Sequence, residues 1–151
     1  MIESSTPSPV NSYFFFNGYL SGILLNSKVV QAWPFNKGFA ACMWFKISKL
    51  STALEDPRNL PVLFNCFSSG YGGFECYFNQ TKLLYRILPP TAYVPPTTDS
   101  NGVLISDFQP EKWNYIGIEH DKPFLARAQL IAVVNDKQVL NFSMDYPKFE
   151  K

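Results

Sequence analysis

The chain has 151 residues, and its 46% hydrophobic and 17% charged residues exclude an intrinsically disordered protein. Its 13 basic side chains nearly balance 12 acidic ones, which argues against nucleic acid, since phosphate neutralisation supplies most of that affinity. No apolar run is long enough to span a bilayer and no charge run marks a lipid-binding patch, so we expect no direct membrane insertion. Three cysteines and one histidine, without a Cys-x-x-Cys pair, predict reduced thiols and no zinc site or other cofactor.

Residues 1–11 are polar and contain two prolines, which predicts a flexible segment ahead of one domain at residues 12–151. Short apolar stretches, many of them alternating with a period of two and separated by turn residues, predict strands at Tyr13–Phe16, Gly22–Leu25, Phe39–Ile47, Pro61–Ser68, Phe74–Asn79, Lys82–Leu88, Gly102–Phe108, Trp113–His120, Gln129–Val134 and Gln138–Met144. The strand at Phe39–Ile47 is apolar on both faces, which predicts a central strand covered on both sides. This series of strands is typical of an all-β sandwich, jelly roll or barrel.

The segment between the predicted strands at 82–88 and 102–108 contains two Pro-Pro pairs. It cannot join a β-ladder, because proline has no backbone N–H. We expect an exposed loop at Pro89–Asn101. The alternative is a polyproline II segment at Pro89–Pro96 that is presented to an SH3 or WW domain.

Three blocks of the sequence together resemble the concanavalin A-like lectin/glucanase domain of BEACH-domain proteins of the neurobeachin and LRBA type. They are Ser12–Leu25, Trp33–Ile47 and Pro110–His120, the last followed by a hairpin at Val134–Lys137. The resemblance covers residues 12 to 144. In the family, further strands follow this hairpin, so the sandwich either lacks its last strands or continues beyond Lys151.

The resemblance implies an all-β, concanavalin A-like jelly-roll sandwich of two antiparallel sheets. It also implies a non-catalytic interaction or scaffolding module of a large cytoplasmic protein that works in vesicle and membrane trafficking. Such a module would reach vesicle membranes only through the parent protein. Its partner would be another protein or a neighbouring domain of the same polypeptide.

Exposed aromatic side chains are the predicted binding residues. Phe15 alternates with two aromatic neighbours that are expected to be buried, so its ring should face outward or into an interface. The other candidates lie on loops or strands, and they are Trp33, Tyr71, Tyr85 and Tyr93. In the alternative of a carbohydrate-binding lectin, rings of this kind would stack on the sugar in the concave face.

Two features near position 120 bear on catalysis. His120 alternates with Ile116 and Ile118, which predicts a buried neutral imidazole bonded to a nearby polar group. Glu119 and Asp121 share one side of the strand, about 7 Å apart, a spacing similar to that of metal-binding or hydrolytic carboxylates in lectins and glucanases. No third carboxylate follows, so we expect neither catalytic nor metal-binding residues, and a vestigial glycosidase is the least favoured alternative.

Overall fold

A computed structural model describes residues 14–16, 22–24, 37–48, 60–68, 70, 72–91, 93–97 and 100–147. The described residues form strands and no helix, and therefore include no helix that is long and apolar enough to cross a bilayer. The strands are β1 (Gly38–Lys46), β2 (Val62–Ser68), β3 (Gly72–Asn79), β4 (Lys82–Leu88), β5 (Val103–Asp107), β6 (Trp113–Asp121), β7 (Gln129–Val134) and β8 (Lys137–Ser143).

The eight strands form two antiparallel sheets that pack face to face. The first sheet has the order β1-β6-β7-β8 and the second has the order β2-β3-β4-β5. This arrangement confirms the predicted all-β sandwich of two antiparallel sheets. From β2 onward, each observed strand also lies within two residues of the bounds predicted from the alternation.

Tight turns set the register of the hairpins. Asn135 and Asp136 join β7 to β8 with φ angles of 47° and 67°. Two consecutive residues of positive φ are typical of a type I′ turn, whose twist matches that of the flanking strands. The turn fixes which side of the hairpin faces the second sheet, because a slip of one residue would invert every side chain.

The core lies between the two sheets and is rich in aromatic rings. Phe39 of β1 stacks on Phe74 of β3, with 3.7 Å between the ring centroids, and Phe45 packs edge-on against Phe108. The buried core residues are Phe45, Phe74, Cys76, Phe78, Leu83, Tyr85, Ile105, Phe108, Ile116, Ile118, Leu130 and Ala132. Burial of such large side chains stabilises each by about 1.5–3 kcal/mol relative to exposure.

The prediction of a central, doubly covered β1 is wrong. β1 is the outermost strand of the first sheet among the described strands, and its alternate residues Ala40, Cys42, Trp44 and Lys46 are exposed. The apolar character of this second face does not come from burial within the described domain. An apolar residue is free to lie on the surface, whereas an unpaired polar group is rarely buried.

Two predicted strands near the N-terminus are absent from the residues that the structure describes there. Residues 14–16 and 22–24 have no strand assignment, and their large apolar side chains are exposed. Alternation identifies a chain that suits a sheet, but a strand also needs a paired neighbour to satisfy its backbone groups. The predicted flexible segment at residues 1–11 lies outside the described residues.

Strand pairing is interrupted at three places. The register shifts in the β2–β3 pair at Val62/Phe64, in the β4–β5 pair at Leu83/Leu84 and in the β7–β8 pair at Ala132/Val133. Each of these pairs includes an outermost strand of its sheet. The β1–β6 pair runs from Gly38 to Lys46 without any shift.

Candidate functional site

The outward side of the first sheet carries exposed and half-buried apolar side chains from β1, β6 and β7, with the charged Glu119 between Ala40 and Ile131. We call it the Trp44 face, and it consists of Ala40, Cys42, Trp44, Tyr115, Gly117, Ile131 and Val133. Trp44 is 45% exposed although it lies in the middle of a regular strand. Its ring centroid is 5.5 Å from that of Tyr115, at an interplanar angle of 56°.

The Trp44 face has a shallow depression at Gly117, beside the aromatic pair. Gly117 lies between Cys42 and Val133 in one cross-strand row, so the row has no side chain at its middle position. The Tyr115 hydroxyl lies beside this depression and bonds to the exposed Cys42 thiol, and this hydrogen bond raises the pKa of Tyr115. The centre of the face is therefore apolar and aromatic, with one polar group aimed at the depression.

The opposite outer face of the sandwich is covered by the protein itself. The described residues of the proline-rich segment, 89–91, 93–97, 100 and 101, which we call the strap, fold back over β3 and β4. The Tyr93 hydroxyl donates to Oε2 of Glu75 over 2.9 Å, and the Pro96 carbonyl accepts a bond from the Leu60 amide, also over 2.9 Å. Burial raises the pKa of Tyr93 to about 12, with a further contribution from the Glu75 charge.

Arg86 holds the strap in place from beneath. Its guanidinium pairs with the fully buried Glu75, and it also donates to the Ser100 hydroxyl over 3.0 Å and to the Val94 carbonyl over 2.6 Å. The Tyr77 hydroxyl adds a 2.9 Å bond to the Ser100 carbonyl. A buried carboxylate needs such a partner, because an unpaired charge in the interior is strongly destabilising. This cluster therefore has a structural role.

The expectation of an exposed proline-rich loop is confirmed for most of its described residues but not for Pro96. Pro89, Pro90 and Pro95 are exposed, but Pro96 is fully buried and Tyr93 is half-buried. Proline cannot extend a ladder, yet its ring is apolar and packs readily on a sheet. The strap therefore does not present residues 89–96 as a freely accessible polyproline II ligand.

Two crevices lie next to the strap. Their volumes are about 270 and 170 Å³, both below the range of about 300–1,000 Å³ that is usual for small-molecule sites. The larger is lined by Tyr85, Arg86, Ile87, Asn101, Gly102, Val103 and Met144, and the smaller by Phe67, Arg86, Ile87, Leu88, Pro89, Tyr93 and Val94. Neither crevice has the size of an ordinary ligand pocket.

His120 is buried in the core, as its alternation with the isoleucines predicted. Its Nδ1 lies 2.8 Å from the Tyr85 hydroxyl, and the rings of Phe39 and Tyr146 pack edge-on against it. Burial lowers the pKa of His120 to about 4, although the Asp121 charge and a hydrogen bond to the Met144 backbone oppose the shift. The ring is neutral near pH 7 and serves the core.

The neighbouring carboxylates lie on the other side of the same strand. Glu119 and Asp121 are exposed, whereas His120 between them points inward. Within the described part of the chain, no group of three His, Cys, Asp or Glu side chains is arranged to hold a metal ion.

The three predicted binding residues that the structure describes, Phe15, Tyr85 and Tyr93, do not form one site. Phe15 is 73% exposed, in agreement with its predicted outward position. Tyr93 belongs to the strap, and its hydroxyl is bonded to Glu75. Tyr85 is fully buried between the sheets, so its ring is not accessible for stacking on a sugar, which corrects that prediction. Trp33 and Tyr71 lie outside the described residues.

The predicted covering of both faces of the strand at Phe39–Ile47 implied a buried Trp44, and Tyr115 was not among the predicted binding residues. A signal was present, since Trp44 shares its strand face with Lys46, whose charge favours solvent. The cross-strand pair of Glu75 and Arg86 was also missed. The register that places them opposite each other becomes visible only once the β3–β4 turn is located.

Two known proteins show low sequence similarity to the chain. No family model and no solved structure matches the chain. The BEACH domain-containing protein lvsE of Dictyostelium discoideum is 28% identical over 142 residues, which cover 92% of this chain but 6% of that protein. Non-toxic nonhemagglutinin type C of Clostridium botulinum C phage is 29% identical over 114 residues, which cover 71% of this chain and 8% of that protein.

The chain thus spans less than a tenth of the length of either relative. Together the two similarities support a BEACH-associated or lectin-like module.

Proposed function

We propose that the chain is a non-catalytic docking module of a large BEACH-type protein that works in vesicle and membrane trafficking in the cytoplasm. The Trp44 face would hold its partner, which is another protein or a neighbouring domain of the same polypeptide. The observation that carries this proposal is the exposure of Trp44, packed against the half-buried Tyr115, on the outward side of the first sheet.

The composition of the Trp44 face supports a protein partner. Binding energy in protein interfaces concentrates on a few central aromatic residues, which a polar rim shields from water. Here the aromatic pair is bordered by charged side chains, with Lys46 ion-paired to Glu111 at one end and Glu119 at the other. A partner would gain the apolar contact of the pair without desolvating these charges.

The opposite face of the sandwich is less suited to docking. The strap already covers Glu75 and Tyr77 on the outer side of β3, where both side chains are fully buried. An incoming partner would have to displace the bonds that Arg86 makes to the strap. The Trp44 face carries no such cover among the described residues, which favours it as the docking surface.

Cys42 provides a built-in reporter for the experiment. Its thiol is exposed within the Trp44 face, so docking should protect it from alkylation. We expect slower maleimide labelling of Cys42 in the native polypeptide within cells than in the isolated domain. A Trp44→Ser/Tyr115→Ser variant should restore rapid labelling in cells.

An Asp107→Cys variant on the second sheet is the matched control, since this exposed position lies away from the Trp44 face. Its labelling rate should be equal in the two settings. Equal labelling rates of Cys42 in the isolated domain and in cells would refute the docking proposal.

A lectin is the second candidate, because a sugar ring stacks on exposed aromatic faces of this kind. The Trp44–Tyr115 pair, and not the buried Tyr85, would then form the platform. Titration with a panel of glycans distinguishes the candidates. Millimolar or tighter binding that disappears in Trp44→Ala would favour the lectin, and no binding to any glycan would leave the docking module as the better account.

A further inference from the structure

The loop between β6 and β7 projects from one end of the sandwich on a fixed base. Asp121 and Gln129 pair across its two ends in the sheet ladder. The Lys122 amide donates to the Lys37 carbonyl over 3.1 Å, and the Ala128 carbonyl accepts from the Met144 amide over 3.2 Å. The residues between them, 123–127, form the tip.

The tip exposes two large apolar side chains almost completely. Phe124 is 99% exposed and Leu125 is 91% exposed, while Ala126 and Arg127 beside them are also exposed. Neither apolar side chain contributes to the core. Exposure of large apolar side chains to water is unfavourable, and such side chains are typical of a surface that binds another molecule or a membrane.

The charges of the loop have one sign. Lys122 and Arg127 bracket the apolar pair, and residues 122–128 contain no acidic side chain. The Lys122 ammonium lies 5.4 Å above the Tyr146 ring, which holds it at the base of the loop. Asp121 lies one residue outside the loop, at the end of β6. An apolar tip flanked by two cationic side chains complements a bilayer, whose acyl region is apolar and whose headgroups can be anionic.

We infer that the β6–β7 loop is a membrane-contact site that inserts Phe124 and Leu125 into the interface of bilayers containing anionic phospholipid. Lys122 and Arg127 then lie at the level of the headgroups. This site is independent of the Trp44 face and of the proposed docking function. It departs from the sequence-based expectation of no direct membrane insertion, which rested on the absence of a membrane-spanning apolar run and of a charge run.

A bilayer fits this loop better than a protein partner does. A stable protein interface buries about 800 Å² on each side with matching shape, far more than two side chains on a convex tip provide. A lipid interface needs no such match and accepts isolated apolar side chains. One loop supplies weak binding, as a single lipid chain does, and would act together with other contacts of a larger assembly.

Vesicle binding tests the inference. The full chain is mixed at millimolar lipid with vesicles of phosphatidylcholine containing phosphatidylserine, and the bound fraction is measured by sedimentation. We expect Phe124→Ser/Leu125→Ser to lower the partition coefficient at least tenfold. Lys122→Gln/Arg127→Gln should remove most of the difference between vesicles with and without phosphatidylserine.

Two control variants separate the loop from other apolar surfaces. Val139→Ser removes an exposed apolar side chain from β8 near the opposite end of the sandwich, and Trp44→Ser alters the Trp44 face. Both should bind vesicles as the unaltered chain does. Absence of vesicle binding by the unaltered chain, or equal binding by the Phe124/Leu125 variant, would overturn the inference, as would self-association through the loop without vesicle binding.

A fluorescence measurement locates the contact. In a Cys42→Ser background, an environment-sensitive dye on Ala126→Cys should shift its emission to shorter wavelength when vesicles are added. The same dye on Asp107→Cys should not shift. A shift at the second position alone would assign the membrane contact to another surface and overturn the inference.

Discussion

Acidification should destabilise the domain through His120, and the structure gives the size of the effect. The ring is buried among Phe39, Tyr85 and Tyr146, and its pKa is lowered from 6.5 to about 4. In the unfolded chain the ring takes up a proton as the pH falls through 6.5, while the folded state resists protonation until about pH 4. The unfolded state therefore binds more protons in this window, and stability falls as the pH falls.

The two pKa values set the magnitude. The loss of unfolding free energy caused by His120 is negligible above pH 7 and reaches about 2 kcal/mol near pH 5. It levels off at about 3 kcal/mol below pH 4, where His120 is protonated in both the folded and the unfolded state. A domain of this size has a total stability of about 5–15 kcal/mol. The domain should remain folded at pH 5 but unfold at a clearly lower denaturant concentration.

Urea unfolding at a series of pH values between 7 and 5 measures this loss. The reference is His120→Phe/Tyr85→Phe, which keeps an aromatic ring in the site and removes the hydroxyl together with its partner. Removing both partners avoids leaving a buried polar group unsatisfied. Both proteins carry the same carboxylates, so the difference between their unfolding free energies reports on the imidazole.

That difference should change by about 2 kcal/mol between pH 7 and pH 5, in the direction that favours the variant at low pH. A difference that stays constant over this range would show that the imidazole is not held neutral by burial, and the reasoning would fail.

Three further predictions concern the ion pair, one turn and the thiols. Arg86→Met should lower the free energy of unfolding in urea by about 3–5 kcal/mol, because Glu75 is left buried and unpaired. Adding Glu75→Gln to this variant should restore part of the lost stability. Asn135→Ala should lose more stability in guanidinium unfolding than Asn135→Gly, because alanine at a φ of 47° is strained by about 1–3 kcal/mol. The reverse order would contradict the positive φ at this turn position. Cys42 should react with a disulfide reagent at pH 8 while Cys66 stays unmodified, because burial raises the pKa of Cys66 to about 11. Equal modification rates of the two thiols, measured by mass spectrometry, would contradict the burial of Cys66.

The strands of the second half of the chain were predictable from local sequence. Asn135-Asp136 tolerates positive φ, and the alternation on either side of this turn places Leu130 and Ala132 in the core. Local turn chemistry and a period of two are sufficient for such hairpins, because pairing follows directly from the turn. The burial of His120 followed from the same alternation.

Features that depend on contacts between distant segments were not predictable. The strap is anchored by Arg86, Tyr93 and Ser100, and nothing in the local sequence indicates which sheet a proline-rich loop will cover. The exposure of Trp44 depends on whether a further layer covers its sheet, and hydropathy alone cannot distinguish the two cases. A large apolar residue indicates burial only as a tendency.

The interrupted pairing beside β2, β5 and β8 bears on how the domain behaves at high concentration. A bulge bends the strand and spoils the flat row of donors and acceptors that a second molecule needs to extend the sheet. These three borders are thereby poor templates for fibril growth. Three of the four outermost strands therefore oppose stacking of one copy on the next, whereas β1, which pairs with β6 without a shift, keeps a regular edge beside the Trp44 face.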